Sequence, residues 1–332
     1  MTKRIVLLGL ALLLAASMAF ARGSSASGGS SGLIKVGIVN LHPSESGYRE
    51  ANVKDMDRVF NAANGYTVLK ANDNTLDAQL NAARQYINEG VKYLLISGAD
   101  ANGWTSVLTA AKNAGVKVFL FDRMLNVDPS LYEAAVISDM ENQGKNAVAW
   151  LKSLNLPTYN ILHIQGQIGS AAQIGRTKPL DEAIAANSNW NLVRRGTGGD
   201  TWSADEAKKI VEAAIAAREN FNIIYAENDG MAEGAMKALQ AAGITHGVNG
   251  TVKIMGFDCN KFALRYVLNG DWNFDGQCSP FQADVIHGFI QKLEAGQSLG
   301  LSGEKKVINE ETYFANPGKI SQADIDKYGL GD

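Results

Sequence analysis

Cysteine and histidine are both scarce in this chain. Cys259 and Cys278 stand alone, and His42, His163, His246 and His287 are scattered, with no HExxH or related ligand spacing. That pattern argues against a metal centre. Basic residues are not in excess: the formal charge is −3, and it falls to −5 once Lys3 and Arg4 are removed. A mildly acidic chain with no basic stripe makes a poor nucleic-acid binder. No GxGxxG lies between Gly37 and Glu50, so the first strand-to-helix turn lacks a dinucleotide fingerprint, and no cofactor is expected. Past residue 32 no apolar run reaches membrane-spanning length.

The one long apolar run, IVLLGLALLLAASMAF, follows Lys3 and Arg4 and closes on Ala19-Phe20-Ala21. A basic start, an apolar stretch and a small-x-small end predict a signal peptide over 1–21, cleaved after Ala21. A non-cleaved anchor is the alternative. No cysteine follows the run, so no lipid anchor is expected. Residues 22–32, RGSSASGGSSG, read as a flexible Ser/Gly leader. Residues 1–32 cannot supply the helix-turn-helix of a transcriptional regulator.

The chain as a whole is 46% hydrophobic, enough for a large core. Past the leader, apolar strands alternate with amphipathic helices. Strands are predicted at 33–40, 66–70, 92–97, 116–121 and 134–137, with helices at 50–62, 77–89 and 104–113 between them. The pattern restarts after Asp139: helices at 142–151, 176–186, 203–218, 231–241, 262–268 and 282–295 alternate with strands at 159–164, 190–195, 221–226, 252–257 and 274–278. Such alternation implies parallel sheets covered on both faces. About ten strands and a restart near residue 140 favour an α/β chain of two similar lobes over a single closed barrel. The two cysteines, exported to an oxidising compartment, would close a loop of about 20 residues, worth roughly 3 kcal/mol if bridged. Two unpaired core cysteines is the other reading.

Several strands end in polar residues. FLFDR ends in Asp122 and Arg123, YAEND in Asn228 and Asp229, and IMGFD in Asp258; Asn40 ends the first strand. In open α/β sheets ligands bind beyond such carboxyl ends. Asp122 offers a carboxylate acceptor and Arg123 a rigid fork of donors. Asp229 is expected to cap the helix near Met231. Arg176 in IGRTK is placed just inside a helix start, where a cation is disfavoured and so needs a specific partner. Pro179 would then fall in the first turn. His163 is expected in the interior, and the roles of Gln165 and Gln167 stay open.

Taken together, GIVNLHPSESGYR, FLFDR, GRTKPLDEA, YAENDGMAEGAMKAL, IMGFD and GQCSP resemble the periplasmic sugar-binding proteins of ABC transporters, the ribose-binding-like class. Within it they are most similar to galactofuranose-binding proteins. The resemblance covers essentially all of the chain past the leader. It implies a type I periplasmic-binding-protein-like fold: two Rossmann-like lobes, a ligand cleft between them and three hinge crossings. The first lobe would comprise 33–139 and 279–308, and the second 140–278 and 309–330. It implies a periplasmic monomer that is not an enzyme, binds a monosaccharide reversibly and hands it to an ABC transporter permease. A receptor feeding a chemotaxis or kinase sensor is the alternative. A sugar-processing enzyme is more remote, because arginine partners would keep Asp122 ionised. The ligand-binding residues it implies are Glu45, Tyr48, Arg49, Trp104, Asp122, Arg123, Arg176, Trp202, Asn228, Asp258 and Gln277. Tyr48, Trp104 and Trp202 are the expected aromatic walls. Cys259 and Cys278, each next to one of these residues, are the candidate disulfide. The family also carries a YAHND-like strand end, and many relatives carry glycine where this chain has Pro179.

Overall fold

The computed structural model describes residues 32–309 and 311–331. The predicted signal peptide and nearly all of the predicted leader lie outside the described residues. The remainder builds two six-stranded sheets, each wrapped by helices, in a two-lobed α/β fold.

The first sheet uses β1 (Ile34–Asn40), β2 (Tyr66–Asn72), β3 (Tyr93–Ile96), β4 (Lys117–Asp122) and β5 (Ala134–Ile137), with β11 (Lys306–Ile308) returning at its edge. Its order is β11-β5-β4-β3-β1-β2, and every pairing is parallel. The second sheet uses β6 (Tyr159–Gln165), β7 (Trp190–Thr197), β8 (Ile223–Ala226), β9 (Lys253–Asp258) and β10 (Phe274–Gln277), with β12 (Phe314–Ala315) antiparallel at the edge. Its order is β12-β10-β9-β8-β6-β7. The helices are α1 (Gly47–Val59), α2 (Leu76–Asn88), α3 (Thr105–Asn113), α4 (Met140–Ser153), α5 (Ala171–Ala186), α6 (Ala204–Ala216), α7 (Asp229–Ala241), α8 (Lys261–Asn269), α9 (Ala283–Glu294) and α10 (Gln322–Tyr328).

Strand periodicity divides each sheet between two cores. In β3 and β4, Leu94, Ile96, Val118 and Leu120 face α2 and α3, while Tyr93, Leu95, Phe119 and Phe121 face α1 and α9. In the second sheet, Leu162, Ile164, Ile224 and Ile254 meet α6 and α7, and Ile161, Ile223, Tyr225 and Phe257 meet α4 and α5. Burial on both faces is why these strands read as continuous apolar runs. Each such side chain contributes roughly 1.5–3 kcal/mol.

The chain passes between the sheets three times: from β5 to α4, from β10 to α9, and from β11 to β12. Two helix starts differ from expectation. α1 begins at Gly47, because Ser46 caps it by accepting from the Arg49 N–H at 3.1 Å. α5 begins at Ala171, capped by Ser170. Arg176 therefore lies in the second turn and Pro179 inside the helix. Glycine makes this tolerable. A Cβ on Gly175 would stand 2.5 Å from Met140 Cβ, and one on Gly144 would stand 3.0 Å from both Pro179 Cγ and the Arg176 carbonyl oxygen. The α4 and α5 backbones approach through these two positions, so packing supports a helix that its proline weakens.

Gly175→Ala is expected to overpack this crossing. It should destabilise by about 1–3 kcal/mol in urea unfolding and displace Arg176. Unchanged stability would mean that α4 and α5 can separate at no cost.

Candidate functional site

The carboxyl ends of both sheets meet at a pocket. The first lobe lines it with Glu45, Ser46, Tyr48, Asp122 and Arg123. The second supplies Met140, Ala172, Arg176, Trp202, Asn228, Asp258 and Cys278.

Asp122 is the last residue of β4 and takes φ +62°, which turns its side chain out of the strand ladder. Its Oδ2 accepts from Arg49 Nη2 at 2.5 Å and Ser97 Oγ at 2.9 Å; its Oδ1 accepts from the Tyr48 hydroxyl at 2.8 Å. Burial alone would raise its pKa, but Arg49 and Arg123 hold it below the ordinary carboxylate value. Arg49 is wholly buried behind it. It also bonds Glu45 Oε2 at 2.9 Å and Asn40 Oδ1 at 2.9 Å, and it does not line the pocket. Arg123 donates to Glu45 Oε1 at 2.8 Å and reaches across to Gln167 Oε1 at 3.4 Å. Its buried Nε lies 3.6 Å from Asp122 Oδ2 and has no hydrogen-bond partner among the described residues, so it remains an unused donor.

The second lobe repeats this device. Asp258 ends β9 at φ +113° and accepts from Arg176 Nη2 at 2.9 Å. Arg49 sits on the helix after the first strand of its lobe, and Arg176 on the helix after the first strand of the other. Asp122 and Asp258 each end the fourth strand. Burial pushes Asp258 up to about 6 against the pull of Arg176. Arg176 is held further by Gln143 Oε1 at 2.9 Å and by the Glu227 carbonyl, and its guanidinium lies 4.8 Å from the Phe257 ring centre.

Trp202 precedes α6. It closes a short 3-10 turn at φ +50°. Its ring lies flat over Gly166, where a Cβ would come within 2.0 Å of it, and Arg123 stands 5.8 Å from the ring centre. Its buried indole N–H also lacks a partner.

Other expectations are corrected. Trp104 is fully buried among α2 and α3 side chains; its indole donates to the Asp100 carbonyl at 2.9 Å and it is no wall of the pocket. Gln277 also lies outside the pocket lining, since its Oε1 accepts from the Tyr313 N–H at 3.3 Å at the sheet edge. Tyr48 faces the pocket, though its hydroxyl is engaged by Asp122. The α7 cap is Asn228, whose Oδ1 accepts from the Met231 N–H at 2.8 Å; Asp229 is the first helical residue. Cys259 and Cys278 are free and buried. Positive φ at Asp258 and Cys259 turns that chain away from its neighbour, so Cys259 Sγ approaches the Asp275 carbonyl and Cys278 Sγ approaches Ser138 Oγ.

The residue reading passed over Glu227. Fully buried, it accepts from the Gly166 N–H at 2.9 Å and from Thr177 Oγ1 at 2.5 Å, and it meets His163 Nε2 at 2.9 Å. Arg195 Nε donates to His163 Nδ1 at 3.0 Å, which leaves the proton on Nε2 to face Glu227. His163 is thus interior, as expected. The clue to Glu227 was an acid inside an apolar strand end, next to an asparagine that drew the attention.

Residues 36–284 match the periplasmic binding protein domain family. The chain belongs to that family. It is 30% identical over 279 residues to a galactofuranose-binding protein of Escherichia coli, across 82% of this chain and 85% of the relative. It is 30% identical over 268 residues to a fructose import binding protein of Bifidobacterium longum, across 78% of this chain and 79% of that one. Among solved structures, a galactofuranose binding protein superposes with a TM-score of 0.80 at 28% identity, covering 89% of this chain and 98% of the other. This periplasmic binding protein is accordingly a sugar-class substrate-binding component of an ABC transporter, and its class binds rather than converts.

Beneath Asp258, Asp229 and Asp275 form a buried acid pair. Asp229 Oδ2 accepts from the Asn260 N–H at 2.8 Å, while Asp229 Oδ1 and Asp275 Oδ2 have no other partner. Burial pushes both upward, Asp275 to about 8, which favours a proton shared by the pair. A raised native pKa means that the unfolded chain releases this proton first. Stability from the pair is full below about pH 4, declines as pH rises and levels off above about 8. Asp275→Asn should flatten the fall in melting temperature between pH 5 and 8. An equal slope in both proteins would rule out the shared proton.

Proposed function

We propose that this protein captures an uncharged monosaccharide in furanose form, galactofuranose or a similar galactose-like or pentose sugar, and releases it unchanged to its permease. The observation that carries this is charge balance at the pocket. Three guanidiniums, Arg49, Arg123 and Arg176, stand against three carboxylates, Glu45, Asp122 and Asp258, in buried pairs of 2.5–2.9 Å. A net charge on the ligand would unbalance groups that burial has already made costly to leave unpaired. Hydroxyls suit the remaining donors, and Trp202 offers a flat apolar face to ring C–H groups.

The furanose preference draws on relatives. Besides the galactofuranose-binding protein, a Mycobacterium smegmatis structure in complex with β-D-fucofuranose gives a TM-score of 0.77 at 26% identity, covering 89% of this chain and 93% of that one. An arabinose-transporter binding protein of Shewanella sp. ANA-3, bound to α- and β-L-arabinofuranose, gives 0.79 at 25%, covering 89% and 95%.

Residues 33–139 with 279–308, and 140–278 with 309–330, are the bodies that close on the sugar. Gln167 Nε2 donates to the Asn74 carbonyl at 3.0 Å, and a Cβ on Gly47 would stand 2.1 Å from Asn260 Oδ1. Contacts this close across the cleft belong to the closed arrangement.

Calorimetry with D-galactose, D-fucose, L-arabinose and D-ribose, beside galacturonate and galactose phosphate, tests the reading. A neutral sugar should bind at micromolar affinity or better and be recovered unchanged, with a smaller radius of gyration in solution scattering. Asp122→Asn and Arg123→Lys should each weaken it about tenfold to a hundredfold, the worth of a charged hydrogen bond. Tighter binding of either charged analogue, or turnover of the sugar, would overturn the proposal.

A further inference from the structure

Glu311 lies on the third passage between the sheets, buried and outside the pocket lining. Its Oε1 accepts from Ser138 Oγ at 2.5 Å and from the Ser279 N–H at 2.8 Å, and its Oε2 accepts from Gln143 Nε2 at 2.6 Å. Ser138 is on the first passage and Ser279 on the second, so one carboxylate joins all three.

Two chains of contacts lead from it to the pocket. Gln143 Oε1 accepts from Arg176 Nε at 2.9 Å, on the second-lobe side. The Ser279 carbonyl lies 3.3 Å from the Tyr48 hydroxyl, which donates to Asp122 on the first-lobe side. Any rotation of one lobe on the other moves Ser138, Ser279 and residue 311 relative to each other. A buried carboxylate with three directional donors is satisfied in few such arrangements, and losing a donor leaves a desolvated acceptor.

We infer that Glu311 is the positioning residue of this binding site: it holds the three passages in the closed register and, through Gln143, fixes the plane of the Arg176 guanidinium. This rests on the reading that Arg176 faces a neutral sugar. Gln143 is the relay because its amide has two ends. Its N–H group donates to Glu311, so its oxygen is left for Arg176. In Glu311→Gln a new amide N–H faces that N–H group. Gln143 must turn over, and its nitrogen then confronts Arg176 Nε.

The exchange of the two residues provides the test. In Glu311→Gln with Gln143→Glu, the amide oxygen at 311 still accepts from Ser138 and Ser279. Its nitrogen donates to the carboxylate at 143, whose other oxygen accepts from Arg176. With whichever of D-galactose, D-fucose, L-arabinose or D-ribose binds the parent most tightly, Glu311→Gln is expected to bind about tenfold more weakly while remaining folded. Gln143→Glu alone, which sets two carboxylates face to face, should also be weak. The exchange should return affinity to within about twofold of the parent. A role confined to stability would shift the melting temperature without this pattern. Parent-like affinity in folded Glu311→Gln overturns the inference, as does an exchanged protein that stays weak. If none of these sugars binds the parent, the neutral-sugar reading itself fails, and this inference fails with it.

Discussion

A guanidinium locked to a carboxylate at the end of a fourth strand occurs once in each lobe, and the cleft is organised around that repeat. Arg49 with Asp122 and Arg176 with Asp258 are buried to within a few per cent of full enclosure. Neither member of such a pair is tolerable alone, since desolvation costs several kcal/mol per ion. Each pair therefore depends on its neighbours: Glu45, Ser97 and Tyr48 in one lobe, Gln143 and the Glu227 carbonyl in the other. The result is a rigid, preorganised set of donors and acceptors. Under the proposed function, a sugar entering it would not have to order long side chains, which lowers the entropic cost of binding.

The backbone carries part of this preorganisation. Asp122 and Asp258 both sit at positive φ, a region that costs a non-glycine residue free energy. The hydrogen bonds on each carboxylate hold the strained turn in place. At Gly166 and Gly47 the missing side chain serves the opposite need, letting Trp202 and Asn260 come nearer than any Cβ would permit. Strain and close approach are concentrated at the cleft, while the sheets behind it are regular and apolar.

Much of this was legible in the residues. Apolar runs alternating with helical stripes indicated parallel sheets, and the polar residues closing FLFDR, YAEND and IMGFD pointed to the strand ends that form the pocket. Asp122, Arg123, Asn228 and Asp258 were found this way because strand direction alone places them at one edge. Trp104 was misread because an aromatic after a strand has the same local pattern whether it faces a ligand or a core; here α2 and α3 close over it. Arg176 was set a turn too early because Pro179 looked like a helix start. The packing of α5 on Gly144 keeps proline inside the helix instead.

Glu227 and Glu311 illustrate the remaining gap. The chain around each residue does not reveal its partners: Glu227 meets His163 from another strand, and Glu311 meets Ser138, Gln143 and Ser279 from more than 30 positions away. The sequence by itself determined which segments become strands and helices, because periodicity and capping are local. It also determined which polar residues end those strands. Only the tertiary structure decided which of those polar groups line the pocket, which brace their neighbours and which join the three passages. Those choices depend on distances between segments far apart in the chain, which local periodicity does not encode.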